Sequence, residues 1–223
     1  MSAKTAALLG ATGMIGSYLL EQLLTDPYFG TVRVIVRRPF TRQHPKLEAK
    51  LVDFNDYESL KLAIDGSDIL FCTIGTTQNN VKGDKELYRK IDFDIPVKAA
   101  RICKETGCEK YVIITSVGAN ANSGTFYLKL KGEVEDAIKQ IDPGAIHIMQ
   151  PSMLLGNRKE SRITEKLVQG PMNVVSYFLG GRLRKYRSIQ GNVVATAMRN
   201  AAKTDLKGVM KYEYDGIMRM AGL

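Results

Sequence analysis

The chain has 223 residues, 44% hydrophobic and 25% charged, with a formal net charge of +9. That length supports one large or two small globular domains, and the balance excludes a disordered or fibrous chain. No stretch approaches the roughly 18 consecutive apolar residues of a membrane-spanning helix. The three cysteines cannot all pair and lack metal-ligand spacing, which points to a reducing, cytoplasmic setting and to no metal site.

Ala6 to Leu9 form a short apolar run suited to a buried parallel strand, after Lys4 and too brief for a signal peptide. Leucines at 19, 20, 23 and 24 then predict a helix over residues 17–24. Between strand and helix lies Gly10-Ala11-Thr12-Gly13-Met14-Ile15-Gly16. Residues without side chains there permit chain reversal, close approach of a phosphate and tight helix–strand packing. The free N–H groups and positive dipole end of the helix complete an anion site. Thr31 to Val36 predicts the second strand, ending in Arg37-Arg38, and Leu47 to Phe54 the third. A helix over Tyr57 to Ile64, capped by Asp56, follows. Asp68 to Ile74 is a continuous apolar run, typical of a strand buried on both faces, closed by Gly75-Thr76-Thr77. After a polar loop comes a long helix over about residues 84–106, then a strand at Tyr111 to Thr115 followed by Ser116. A helix over 125–141 and a sixth strand at Ala145 to Met149 continue the alternation, and a further helix spans 190–203. Alternating strands and helices predict an α/β fold with a doubly wound parallel sheet and helices on both faces. The less regular residues 151–190 are expected to cover a substrate as part of a single domain, 1–223.

Ligands in such sheets bind outside the carboxyl ends of the strands, and the candidate residues lie at those ends. Arg37 and Arg38 stand where an acid would repel a 2′-phosphate and paired guanidiniums would bind it, favouring NADP(H) over NAD(H); the other reading is two arginines on an exposed strand end. Asp53 and Phe54 could present a carboxylate and a backbone to an adenine edge, or Asp53 could simply serve helix entry. Tyr127 and Lys131, four apart on a helix, share one face. A phenol of pKa about 10 needs a nearby cation to work near neutrality, and Lys131 can supply it. Ser116 can hold a carbonyl oxygen. Ser116, Tyr127 and Lys131 are therefore the candidate catalytic residues. His147, inside a strand, is expected to be a core histidine, and Met210, Met218 and Met220 to pack under the C-terminal segment.

The glycine turn, Ser116 and Tyr127-Leu128-Lys129-Leu130-Lys131 resemble the short-chain dehydrogenase/reductase superfamily. Phe71 to Thr77 and Tyr127 to Glu135 are closer still to an atypical branch, the Tat-interacting-protein oxidoreductases and related bacterial NAD(P)-binding proteins. The resemblance runs over nearly the whole chain, with its specific motifs in the first 150 residues. It implies a Rossmann-type fold, NADPH on the glycine turn, Thr73, Ile74, Gly75 and Thr76 beside the cofactor, and Pro151 to Leu154 near the nicotinamide. One departure stands out. The wider superfamily often uses an Asn on the helix after strand four to extend a proton relay, and here the stretch Tyr88 to Asp94 contains none.

Residues 157–187 carry eight Lys or Arg (Arg158, Lys159, Arg162, Lys166, Arg182, Arg184, Lys185 and Arg187) against Glu160 and Glu165, a net +6. No nucleic-acid motif accompanies them, so a solvated face, or a rim attracting an anionic cofactor or substrate, is preferred to a nucleic-acid site. The expected function is reduction of a small carbonyl substrate by NADPH. The alternative is a sensor in which NADPH occupancy gates binding to another macromolecule.

Overall fold

The computed structural model describes residues 3–156 and 180–223. Its main sheet has seven strands, all parallel, in the order β3-β2-β1-β4-β5-β6-β9. These are β1 (Lys4–Leu9), β2 (Phe29–Val36), β3 (Leu47–Leu51), β4 (Ile69–Cys72), β5 (Lys110–Ile114), β6 (Ala145–Met149) and β9 (Val209–Tyr212). A separate two-stranded parallel ladder joins β7 (Leu154–Leu155) to β8 (Ile189–Gln190). The chain builds outward from β1 to β3 and then crosses back to β4, so the switch point lies between β1 and β4.

Alternate residues along each strand feed opposite layers. Ala6 and Leu8 of β1 face a core with Leu19 and Leu23 of α1 (Met14–Thr25) and Val194 and Met198 of α6 (Gly191–Ala201). Ala7 and Leu9 face the other core, with Leu60 and Ile64 of α2 (Tyr57–Ile64), Ala99 and Cys103 of α4 (Ile95–Glu105), and Val134 and Ile138 of α5 (Phe126–Ile141). The expected doubly wound α/β architecture is the one observed. Asp56 caps α2 as expected, its side chain accepting the Glu58 N–H. Cys72, Cys103 and Cys108 are free and buried, and Met210, Met218 and Met220 pack against the first core.

Three expectations need correction. β3 ends at Leu51 rather than Phe54, because residues 53–56 form a turn in which Asp56 N–H donates to the Asp53 carbonyl. β9 and α7 (Tyr214–Ala221) extend the sheet and its cover beyond the six strands expected. The long helix over 84–106 is broken into α3 (Lys85–Arg89), a π-helical turn (Lys90–Asp94) and α4. Pro96 explains the break. It lacks the N–H that would bond the carbonyl four residues back, and its ring crowds that carbonyl, which belongs to Asp92. The chain widens instead, and Ile95 N–H donates to Lys90 O, five residues back.

Candidate active site

The glycine turn joins β1 to α1 at the switch point. Gly10 has φ +89°, and a Cβ there would stand 2.6 Å from Thr73 Oγ1. A Cβ on Gly16 would run into the Gly10 carbonyl and stand 2.7 Å from Thr73 Oγ1. Thr73 is itself pinned to β1, its N–H and hydroxyl each donating to Leu9 O at 2.9 Å. Gly10 and Gly16 are thus required by packing between the turn and the end of β4. Gly13 is different. It is exposed, it is the N-cap of α1, and no side chain caps the helix. The first N–H groups of α1 therefore face outward without an intrahelical acceptor, and an anion fits there. Thr12 is exposed beside them, whereas the Ile15 side chain is core, leaving only its N–H for a ligand. The Met14 sulfur packs against Gly191 and Gly156, 3.2 and 3.3 Å from where their Cβ atoms would stand, and ties the turn to the β7–β8 ladder.

Arg37 and Arg38 are exposed just past β2, and neither makes an ion pair with a described residue. The Asp53 carboxylate is taken up by its own turn, accepting Asn55 N–H at 2.9 Å and Asn55 Nδ2 at 2.7 Å. The Phe54 carbonyl accepts Lys98 Nζ at 2.8 Å. These bonds place Asp53 in the turn that leads into α2, as its helix-entry reading requires.

The second half of the site is assembled on α5. Tyr127 is 39% exposed, and its hydroxyl has no hydrogen-bond partner among the described residues. Lys131, one turn on, is 5% exposed, with Nζ 6.0 Å from the centre of the Tyr127 ring. Lys131 Nζ donates to Asp92 Oδ2 at 2.8 Å, and Asp92 Oδ1 accepts Thr76 N–H at 2.7 Å. Burial works to push the Lys131 pKa down, but the Asp92 carboxylate and Tyr127 outweigh it, and the ammonium is held above the ordinary lysine range. The loop closing β4 is fixed from a second side by Tyr88, whose hydroxyl donates to Thr76 O at 3.1 Å and whose ring meets Phe126 of α5 edge-on.

Ser116 stands at the end of β5, its hydroxyl making only a long contact to the neighbouring Val117 carbonyl. Val117 N–H donates to Pro151 O at 3.1 Å, which brings the ends of β5 and β6 together. The loop from Ser116 to α5 lies directly on the helix, where Asn120 N–H donates to Leu128 O. Gly132 makes this possible, since a Cβ there would overlap Ala121 N and Asn120 C and stand 2.6 Å from Asn120 Cα.

Four residues that sequence reasoning missed belong to this neighbourhood. Asp92 occupies the stretch scanned only for Asn, with Pro96 as the unread signal of a helix break. Gly132 is a lone glycine amid good helix formers. Glu135, four residues beyond Lys131, is 1% exposed; it accepts Thr115 Oγ1 and Gln150 Nε2 at 2.7 Å each and pairs with Lys211 Nζ at 2.5 Å. Gln150 also borders a cavity of about 410 Å³ whose walls include Lys185, Lys211, Glu213 and Arg219. Of the basic segment, residues 157–179 lie outside the described residues; Arg184 pairs with Asp215 and Lys185 with Glu213.

A family model described as NAD(P)H-binding matches residues 10–171. The chain belongs to this NAD(P)H-binding family. It is 32% identical to the protein HTATIP2 of Rattus norvegicus over 172 residues, covering 76% of this chain and 70% of that one. It is 33% identical over 208 residues to the mitochondrial protein fmp52 of Aspergillus niger, covering 91% and 88%. Among solved structures it superposes on a UDP-N-acetylglucosamine 4-epimerase from Methanobrevibacter ruminantium M1, with TM-score 0.70, 17% identity and 96% and 77% coverage. A Bordetella bronchiseptica enzyme, WbmH, in complex with NAD+ gives TM-score 0.69 at 16% identity, covering 95% and 76%. These likenesses agree with the switch-point turn and its open helix N-terminus: the fold is Rossmann-like, and a nicotinamide dinucleotide is its cofactor class.

Proposed function

We propose that the protein is an NADPH-dependent reductase of a small carbonyl compound. The observation that carries this reading is the pairing on α5 of a buried Lys131, whose pKa is held above the ordinary lysine range, with an exposed Tyr127 whose hydroxyl has no hydrogen-bond partner among the described residues. Such a pair suits proton transfer better than simple binding, since a cation near a phenol favours its ionised form. The cofactor supplies the hydride. In this reading the α1 N–H groups, with Gly13 leaving them open, bind its pyrophosphate, while Arg37 and Arg38 take the 2′-phosphate and distinguish NADPH from NADH. Thr73, Ile74, Gly75, Thr76 and Pro151 line its path, and Lys131 reaches the ribose. Tyr127 Oη gives a proton to the substrate oxygen, Ser116 Oγ donates a hydrogen bond to the same oxygen, and Lys131 Nζ favours the resulting phenolate.

The test is NADPH oxidation across a panel of aldehydes, ketones and quinones by the wild-type protein and Tyr127→Phe. The reading expects at least one substrate whose turnover falls by about 100-fold or more in the variant while NADPH still binds. NADPH binding with no Tyr127-dependent turnover anywhere in the panel would favour the sensor instead.

A further inference from the structure

We propose that Asp92 is a positioning residue for this site: a single carboxylate that clamps Lys131 through one oxygen and the cofactor-side loop through the other, so that loop and lysine are placed together. The catalytic meaning of this clamp rests on the reductase reading, but the clamp itself does not. Asp92 is 1% exposed, with Oδ1 on Thr76 N–H at 2.7 Å and Oδ2 on Lys131 Nζ at 2.8 Å. Three elements must cooperate to place it. The π-helical turn forced by Pro96 alters the direction in which residue 92 leaves the helix, and such turns recur at functional sites. The loop after β4 passes beside the carboxylate at ordinary contact distance, a Cβ on Gly75 standing 3.7 Å from Oδ2. Lys131 arrives from α5 on the opposite side.

A merely structural role does not account for this arrangement. Buried ion pairs are commonly no more stabilising than apolar side chains of equal volume, so stability alone gives little reason to place one here. The other titratable groups facing the pair are Tyr127 on α5, Cys72 on β4 and Tyr88 on α3. Burial keeps the Cys72 thiol and the Tyr88 phenol neutral. Asp92 is the one carboxylate among these neighbours. It holds Lys131 cationic, and it also offsets part of the field that Tyr127 would feel from a bare ammonium. The carboxylate thus sets both where the lysine stands and how strongly it acts on the phenol.

Two substitutions separate the halves of the clamp. Asp92→Asn keeps an oxygen for Thr76 N–H but removes the charge; Asp92→Ala removes both. Lysine labelled with ¹³C at Cε reports the ionisation of Lys131, its signal assigned by loss in Lys131→Arg. In the wild type that signal should remain in its ammonium form past the ordinary lysine value of 10.5. In Asp92→Asn burial loses its main opponent and only the Tyr127 and Cys72 contributions remain, so the Lys131 titration should fall below its wild-type position, at least tenfold in proton affinity. NADPH affinity, read by fluorescence, should stay within about threefold in Asp92→Asn and weaken about tenfold or more in Asp92→Ala, where the Thr76 anchor is gone. Unchanged Lys131 titration in Asp92→Asn would overturn the proposal, and so would wild-type NADPH affinity in Asp92→Ala. If Asp92→Ala fails to fold, the near-isosteric Asn variant decides the question by the lysine signal alone. Loss or survival of turnover in Tyr127→Phe bears only on the reductase reading, so the two can fail separately.

Discussion

Replacing Gly132 by Ala should lower stability, contrary to the usual effect of that change in a helix. Ala in place of Gly within a helix ordinarily gains about 0.5–1 kcal/mol by restricting the unfolded chain. Gly132 has helical dihedrals, so that gain is available, but the added methyl would overlap Ala121 N and Asn120 C and stand 2.6 Å from Asn120 Cα. All three are backbone atoms, with no flexible side chain to swing away, so the loop from Val117 to Thr125 must move off α5. Overpacking of this kind costs about 1–3 kcal/mol. Lifting the loop also threatens the bond from Asn120 N–H to Leu128 O, worth about 1 kcal/mol. The net expectation is a loss of roughly 1–3 kcal/mol by urea denaturation, the cost terms outweighing the helical gain. Gly216 in α7 is the control: its nearest neighbour would be Tyr212 Cβ at an ordinary 3.4 Å, so Gly216→Ala should gain up to about 1 kcal/mol. Because the displaced loop begins next to Ser116 and lies away from the glycine turn in the chain, Gly132→Ala should also reduce any Tyr127-dependent turnover more than NADPH affinity. Equal stabilisation of both variants would refute the reasoning.

Acid should weaken the fold through His147. Burial chiefly, and the Lys110 charge, lower its pKa from 6.5 to about 4, so the folded protein resists a proton that the unfolded chain accepts. The stabilisation is complete above pH 6.5 and is lost as pH falls toward 4, by up to about 3 kcal/mol; urea midpoints between pH 7 and 4.5 should fall in the wild type and flatten in His147→Gln. Arg37→Ala and Arg38→Ala should each weaken NADPH binding about tenfold, from loss of a charge-assisted contact of roughly 1.5 kcal/mol, and leave NADH binding within about twofold; equal losses would contradict the 2′-phosphate assignment. Lys131→Met strands the Asp92 carboxylate and should cost about 3–5 kcal/mol, whereas the double change Asp92→Leu with Lys131→Met should recover much of it. Additive losses in that cycle would mean that the two charges are not coupled.

What could be read from the residues depended on how local the determining forces are. The strand–helix alternation, the glycine turn and the Asp56 cap were legible because each is set by residues within a few positions of one another. β9 was not, since Val209-Met210-Lys211-Tyr212 is short and half exposed, with only Tyr212 buried; pairing with β6 decides its conformation. The helix break at Lys90–Asp94 carried a local signal in Pro96, but what that break does is set by Thr76 and Lys131, which approach from elsewhere in the chain. Periodicity marks which positions on α5 are apolar. It does not mark which polar positions the sheet and the π-helical turn will bury.

That distinction bears on how α5 serves the site. Tyr127, Lys131 and Glu135 fall at successive fourth positions, a stripe of about 12 Å along the helix, beside the apolar Leu130, Val134 and Ile138 that anchor it. A helix packed for stability alone would fill the two inner positions of this stripe with leucine or alanine. Instead each buried charge is met by a partner from a different element, Asp92 from the π-helical turn and Lys211 from β9. Glu135 also binds Thr115 and Gln150, the residues immediately before Ser116 and Pro151. The two buried charges thereby tie α5 to the loop after β4 and to the ends of β5, β6 and β9. Side-chain pairs of this kind fix orientation more tightly than apolar contact does, because they are satisfied only over a narrow range of distance and angle. The helix that presents Tyr127 is therefore held in register against the strand ends where ligands of such a sheet bind.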